Sequence, residues 1–247
     1  MGKRIVVIGA TSAIAAHCIR LWGRQPDVQE LVLVGRDKNK LQALLDDISV
    51  RATNLKVVSE RLPDFCDEIS IGELIQSLSI RPIDMALIAQ GTLGEQKQTQ
   101  TDLTSLRQVI EVNALSVAFF AEAIVTKMIE QGQGTLGIIS SVAGDKARKR
   151  NYHYGAAKAM VSFISEGLQH RVVGTNVRIC LIKPGPTQTP MTTELKGMKL
   201  ASVSTVATDI VKGMSKGRRV IYTPWKWRYL MFIIRHLPWY IFKKLDI

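Results

Sequence analysis

Tyr154 and Lys158 stand four residues apart, and Ser141 lies thirteen residues before the tyrosine. On a helix, positions i and i+4 share one face, so the phenol and the ammonium are neighbours. A phenol is a poor proton donor near neutral pH unless its phenolate is stabilised, and a fixed cation one turn away favours that charged form. A serine hydroxyl beside them adds a second hydrogen-bond donor. Such a trio is suited to protonating a developing alkoxide, the proton-transfer half of a carbonyl reduction. The Tyr-x-x-x-Lys spacing alone recurs by chance, so the segments around it must decide.

Those segments alternate. Short apolar runs at 5–8, 31–34, 55–58, 83–89, 136–139, 177–182 and 220–222 are separated by amphipathic stretches near 12–24, 38–50, 69–79, 102–131, 153–172 and 203–215. Continuous apolar strands alternating with helices predict a parallel sheet covered on both faces. Ser12 and Asp37 stand where helix N-caps are expected. The prediction is one doubly wound α/β domain of Rossmann type over residues 1–223, with about seven strands. Residues 224–247 then form a basic, aromatic appendix: Pro224 opens a helical piece, Pro238 breaks it, and a short second piece follows.

The first strand runs into Gly9, Ala10, Thr11, Ser12, Ala13, Ile14 and Ala15. A dinucleotide fold needs small residues here, because backbone amides at a helix N-terminus must approach a pyrophosphate. At the end of the second strand, Gly35 occupies the place where an acid would bond the adenosine ribose, and Arg36 follows it. An arginine there accommodates a 2′-phosphate, so NADP(H) is preferred, with NAD(H) the second choice. Asp37 serves as a cap and is within reach of the ribose.

Net charge is +12 over 247 residues, with 46% hydrophobic and 22% charged side chains, which describes a globular chain seeking an anionic partner. Lys146, Arg148, Lys149 and Arg150 precede Tyr154, either flanking the mouth of a site or forming a solvated loop. From Lys212 onward there are nine Lys or Arg against one acid, together with Trp225, Trp227 and Trp239. That mixture fits an anionic membrane surface, with a helix packed on a subunit partner or on the domain itself as the competing reading. The basic residues crowd around apolar clusters rather than forming a stripe, so nucleic acid is not expected. A cut after Thr223 should then spare turnover of a water-soluble substrate. Cys18, Cys66 and Cys180 are scattered and predict reduced thiols, and no residue spacing suits a metal. Gly2, Lys3 and Arg4 lead directly into a strand, so no leader is expected, and the expected location is the cytoplasm, peripheral at the inner face of the membrane.

Taken in order, these pieces resemble the short-chain dehydrogenase/reductase family over roughly residues 4–223. The match runs through Gly9–Ala15, Asp64, Gly91, Asn113, Ser141, Tyr154, Lys158, Pro184, Gly185 and Thr189. The resemblance implies an enzyme acting on a ketone/secondary alcohol couple with NAD(P), in which Tyr154 is the general acid and Lys158 lowers its pKa and binds the nicotinamide ribose. It also implies that Ser141 orients the carbonyl and that Asn113 holds a water that relays protons. Thr189 would hold the carboxamide and Asp64 the adenine, with Phe65, Ala89, Gln90, Gly91, Pro184, Gly185 and Thr187 lining the cofactor. Residues 88–91 read Ile-Ala-Gln-Gly where the family has Asn-Asn-Ala-Gly, and Ala13 and Ala15 replace expected glycines. Residues 191–200 resemble the family's substrate lid.

Within the family, residues 89–94, the basic run before Tyr154 and the segment from Arg228 to Phe242 resemble reductases of polyprenyl-phosphate-linked keto-sugars. A lipid-linked or phosphorylated sugar is the substrate so implied, with a homodimer or homotetramer and a partner oxidase as further expectations. The alternatives are a ketone or 3-oxoacyl reductase of the same family, and a nucleotide-binding interaction protein without turnover.

Overall fold

The structure is a computed structural model that describes residues 2–52, 55–193 and 200–245. Seven strands form one sheet: β1 (Lys3–Ile8), β2 (Val28–Gly35), β3 (Lys56–Arg61), β4 (Met85–Ile88), β5 (Gln133–Ile139), β6 (Asn176–Pro184) and β7 (Val220–Thr223). Their spatial order is β3-β2-β1-β4-β5-β6-β7, and every neighbouring pair is parallel. The strand order reverses between β1 and β4. A cleft therefore opens there beyond the carboxyl ends of the strands, the place where such sheets hold ligands.

Each buried strand needs cover on both faces, and alternation along β1 displays this. Ile5 and Val7 point to one side, where they cluster with Cys18 and Ile19 of α1 (Ala13–Trp22), Leu41 of α2 (Lys38–Arg51) and Ile210 of α8 (Val203–Ser215). Val6 and Ile8 point to the other side. There they meet Ile71 of α3 (Glu68–Leu78), Phe120 of α6 (Ser116–Glu130) and Val161 of α7 (Tyr152–Arg171). Ser12 and Asp37 cap their helices as expected, Ser12 accepting from the Ala15 amide and Asp37 from the amides of Asn39 and Lys40.

Two details depart from the periodicity. The segment expected as one helix over 102–131 is preceded by a short α4 (Gln96–Thr101). It then divides into α5 (Leu103–Ile110), a π-helical turn (Glu111–Leu115) and α6. The C-terminal segment forms α9 (Trp227–His236) and α10 (Trp239–Phe242), broken at Pro238 as expected. The appendix packs on the domain: Met231 and Ile234 are buried beside Val142, with Tyr222, Trp227 and Phe242 packed around them.

Candidate active site

The carboxyl ends of β1, β4, β5 and β6 deliver the site. After β1 the chain turns at Gly9, whose φ of +74° is left-handed; a Cβ there would meet the Gln90 amide nitrogen at 2.6 Å. Thr11, Ser12, Ala13 and Ile14 follow at the N-terminus of α1 and line a cavity of about 370 Å³. Ala89, Gln90 and Gly91 after β4 line it too, as do Ser141 after β5, Tyr154 and Lys158 on α7, and Pro184, Gly185, Thr187 and Thr189 after β6. Most of the expected site residues thus line one cavity.

Asn113 and Gly9 stand just behind that wall. Asn113 is fully buried in the π turn. Its Nδ2 donates to the carbonyls of Thr92 and Val109, both at 2.8 Å, and its Oδ1 accepts from the Thr92 amide at 3.0 Å. A Cβ on Gly91 would come within 2.9 Å of Asn113 Oδ1 and 3.5 Å of Lys158 Nζ, so glycine keeps the space between them open. Arg36, Asp64 and Phe65 are not on the cavity wall. Arg36 is exposed with its guanidinium over the Phe65 ring at 5.9 Å, and Asp64 accepts from the Cys66 amide at 2.8 Å. Lys40, one turn into α2, lines the cavity. The expected lid is described only for Met191–Thr193 and Leu200; residues 194–199 lie outside the described residues.

The loop after β5 closes directly onto α7. Ser140 Oγ donates to the Lys158 carbonyl at 2.7 Å, and Lys158 Nζ donates to the Ile139 carbonyl at 3.1 Å. The 3-10 turn Val142–Gly144 approaches so closely that a Cβ on Gly155 would sit 2.9 Å from the Ala143 carbonyl oxygen, and one on Gly144 would sit 2.7 Å from the Lys158 carbonyl. These contacts fix Ser141 beside Tyr154.

Electrostatics correct one expectation. Burial, the largest cause, pushes Tyr154 up to about 12, while hydrogen bonding with Ser141 pulls the other way. Burial also brings Lys158 down to about 8. Lys158 Nζ lies 5.9 Å from the Tyr154 ring centre, and desolvation outweighs any lowering of the phenol by the ammonium.

A second cavity of about 410 Å³ adjoins the first, with Tyr154, Arg148, Asn151, Leu93 and Pro186 on the walls of both. Trp227, Leu230 and Ile234 of α9 form part of its wall, and the Trp227 indole packs onto Gly185 where a Cβ would collide. His153, adjoining Tyr154, also lines it, its Nδ1 paired with Thr99 Oγ1 at 2.8 Å. Sequence reasoning missed α9 as a wall because the residues it faces across the cavity, such as Leu93 and Arg148, are far off in sequence, and Gly185, under Trp227, bears no side chain. Among the described residues no cluster of His, Cys, Asp or Glu suits a metal.

Comparison with known proteins follows the same lines. Residues 3–199 match the family model for short chain dehydrogenases. An uncharacterized oxidoreductase of Mycobacterium tuberculosis is 29% identical over 247 residues, covering 98% of this chain and 96% of that protein. An uncharacterized oxidoreductase of Streptomyces coelicolor is 26% identical over 245 residues, with 98% and 96% covered. Among solved structures, a short-chain dehydrogenase from Sphingobium yanoikuyae in complex with NADPH superposes with a TM-score of 0.82 at 20% identity, covering 96% of this chain and 97% of that one. A short chain dehydrogenase from Burkholderia cenocepacia in complex with NADP gives 0.80 at 16% identity, with 95% and 93% covered.

Proposed function

The chain belongs to the short-chain dehydrogenase family, and from that premise we propose an NADP(H)-preferring reductase that converts a ketone into a secondary alcohol. The observation that carries the proposal is the position of Tyr154, on the wall common to both cavities, with Ser141 and Lys158 beside it. The first cavity suits a dinucleotide: Thr11–Ile14 line it at the N-terminus of α1, the left-handed Gly9 turn stands behind them, and the space at Gly91 is kept clear of a side chain. When bound, the reduced nicotinamide cofactor supplies the hydride. Gly9–Ile14 would receive its pyrophosphate, Lys158 its ribose, and Thr187 and Thr189 its carboxamide. Lys40 and Arg36 would serve a 2′-phosphate, in keeping with the NADPH and NADP of the two structural neighbours.

Tyr154 then gives its phenolic proton to the substrate oxygen as that oxygen becomes an alkoxide, leaving a phenolate. Ser141 donates a hydrogen bond to the same oxygen and holds the carbonyl in place. Lys158 in its cationic form stabilises the phenolate and then returns a proton toward it, and Asn113, held in the π turn, would keep the water from which Lys158 is reprotonated. A phenol held near 12 is fully protonated at neutral pH, which is the state an acid must occupy before reduction.

For the substrate we propose a polyprenyl-phosphate-linked keto-sugar. Support comes from the resemblance of residues 89–94 and 228–242 to the reductase component of decaprenylphosphoryl-β-D-ribose 2′-epimerase, and from the apolar wall that α9 gives the second cavity. The exposed face of α9 and α10 would rest on an anionic membrane surface, where such a lipid resides. The test is NADPH oxidation across a panel holding a polyprenyl-phosphoryl keto-sugar, a 3-oxoacyl thioester and simple bulky ketones. The lipid-linked keto-sugar is expected to give the highest kcat/KM. A higher value for the thioester would replace this substrate with that of an ordinary 3-oxoacyl reductase.

A further inference from the structure

The four cations before Tyr154 do not share one environment. Lys146 lies over the Phe242 ring at 4.9 Å, and Lys149 and Arg150 are exposed, Arg150 also lining the second cavity but not the first. Arg148 turns inward and lines both cavities. Its Nε is wholly buried, and among the described residues nothing accepts a hydrogen bond from it. A buried guanidinium ordinarily has an anion or several carbonyls around it, because arginine cannot escape desolvation by losing its proton. Burial pulls its pKa down with no opposing partner.

Among the described residues no internal counter-ion stands in either cavity. No Asp or Glu is among the described residues that line either cavity. The acid nearest in sequence, Asp145, is committed elsewhere: Lys183 Nζ meets its Oδ1 at 2.5 Å and the Tyr222 hydroxyl donates to its Oδ2 at 2.9 Å. The second cavity therefore combines the Arg148 guanidinium, unpaired at Nε among the described residues, with the Tyr154 phenol and the apolar side chains of Trp227, Leu230 and Ile234. On α9 those three positions fall at i, i+3 and i+7, one face of one helix.

We infer that Arg148 is the anion anchor of the substrate chamber, and that the chamber takes an amphiphilic phosphate whose apolar chain lies against α9. The inference rests on the reductase reading for the location of the ketone, but not for the binding of the phosphate. Arg148 determines specificity and takes no part in proton transfer. Its planar fork can engage two phosphate oxygens at once, which a lysine cannot reproduce.

The test uses geranyl phosphate, geraniol and inorganic phosphate as probes of the full-length protein, followed by quenching of tryptophan fluorescence. Wild type should bind geranyl phosphate at least tenfold more tightly than either geraniol or inorganic phosphate. Arg148→Gln should abolish the preference for geranyl phosphate over geraniol, and Arg148→Lys should restore part of it. An equal preference in wild type and Arg148→Gln would overturn the inference. So would inorganic phosphate binding as tightly as geranyl phosphate, since the site would then be one for free phosphate. If Arg148→Gln weakened NADPH as much as geranyl phosphate, Arg148 would belong to the cofactor and the inference would fall. Because these measurements need no turnover, their outcome is separate from that of the NADPH oxidation panel, on which the reductase reading stands or falls.

Discussion

Burial moves Tyr154 and Lys158 in opposite directions, the phenol up to about 12 and the ammonium down to about 8, and the gap assigns their work. Of the two, Lys158 is the one that titrates nearer neutral pH. Reduction should therefore decline as pH rises through about 8, when the cation that supports the phenolate is lost, and a kcat/KM profile measures this directly. Tyr154→Phe removes the proton donor alone, so NADPH affinity should persist while turnover falls by about 100- to 10,000-fold. Wild-type turnover in that variant would remove Tyr154 from the mechanism. Linkage supplies an independent check. Lys158 has a folded pKa below its ordinary value of 10.5, so the unfolded chain binds the extra proton between about 8 and 10.5. Stability from this group is full above the upper value and is lost as pH falls through the lower one. Between those limits the share of Lys158 should thus grow by on the order of 3 kcal/mol, read as the difference between wild type and Lys158→Met in denaturant unfolding, because Cys18, Cys180 and Tyr222, all pushed up by burial, shift the total the other way. For cofactor choice the structure adds Lys40 to Arg36. The double change to alanine should weaken NADPH more than NADH, each lost charged contact costing about 1.5–3 kcal/mol.

The strands and the helices α1 to α3 and α6 to α8 were legible because each buries a continuous run or a regular stripe of apolar residues, and burial is what hydrophobic periodicity records. Ser12 and Asp37 were legible as caps for the same local reason. The π turn at Glu111–Leu115 was not, since one widened turn leaves the apolar pattern of its long helix almost unchanged. Nor could four adjacent cations be sorted in a loop with no period, although only Arg148 lines both cavities. The contact between the Val142–Gly144 turn and α7 also escaped notice, because it depends on the absence of side chains at Gly144 and Gly155. Gly155→Ala tests that contact. Alanine favours a helix by about 1 kcal/mol over glycine, while pressing the Ala143 carbonyl from 2.9 Å costs about 1–3 kcal/mol. Stability should fall by up to about 2 kcal/mol, and kcat should fall as well, because the turn that carries Ser141 must shift away from Tyr154. An unchanged kcat would mean that the turn yields without moving Ser141.

The C-terminal segment changes meaning once its two faces are separated. Its inner face walls the second cavity through Trp227, Leu230 and Ile234, so a cut after Thr223 would open the chamber and impair even a water-soluble ketone, contrary to the expectation from sequence. Its outer face is another matter. Phe232 is 65% exposed and Trp239 71% exposed, with Trp225, Tyr229, Ile233 and Tyr240 also in solvent. Seven Lys or Arg between Arg218 and Lys244 accompany them. Aromatic side chains at headgroup depth beside cations suit an anionic leaflet, each cation contributing about 1 kcal/mol near the surface. Phe232→Ser with Trp239→Ser takes two of the most exposed rings from the outer face and spares the residues that line the cavity. Wild type should sediment with vesicles of phosphatidylglycerol, less with phosphatidylcholine, and progressively less as salt shortens the Debye length to about 8 Å at physiological strength. The double variant should remain in the supernatant with its activity on a short soluble ketone retained. If the two proteins sediment alike, the exposed face is not what meets the membrane. If neither sediments at low salt and wild type alone self-associates in sedimentation velocity, the same aromatic face joins two copies of the chain instead.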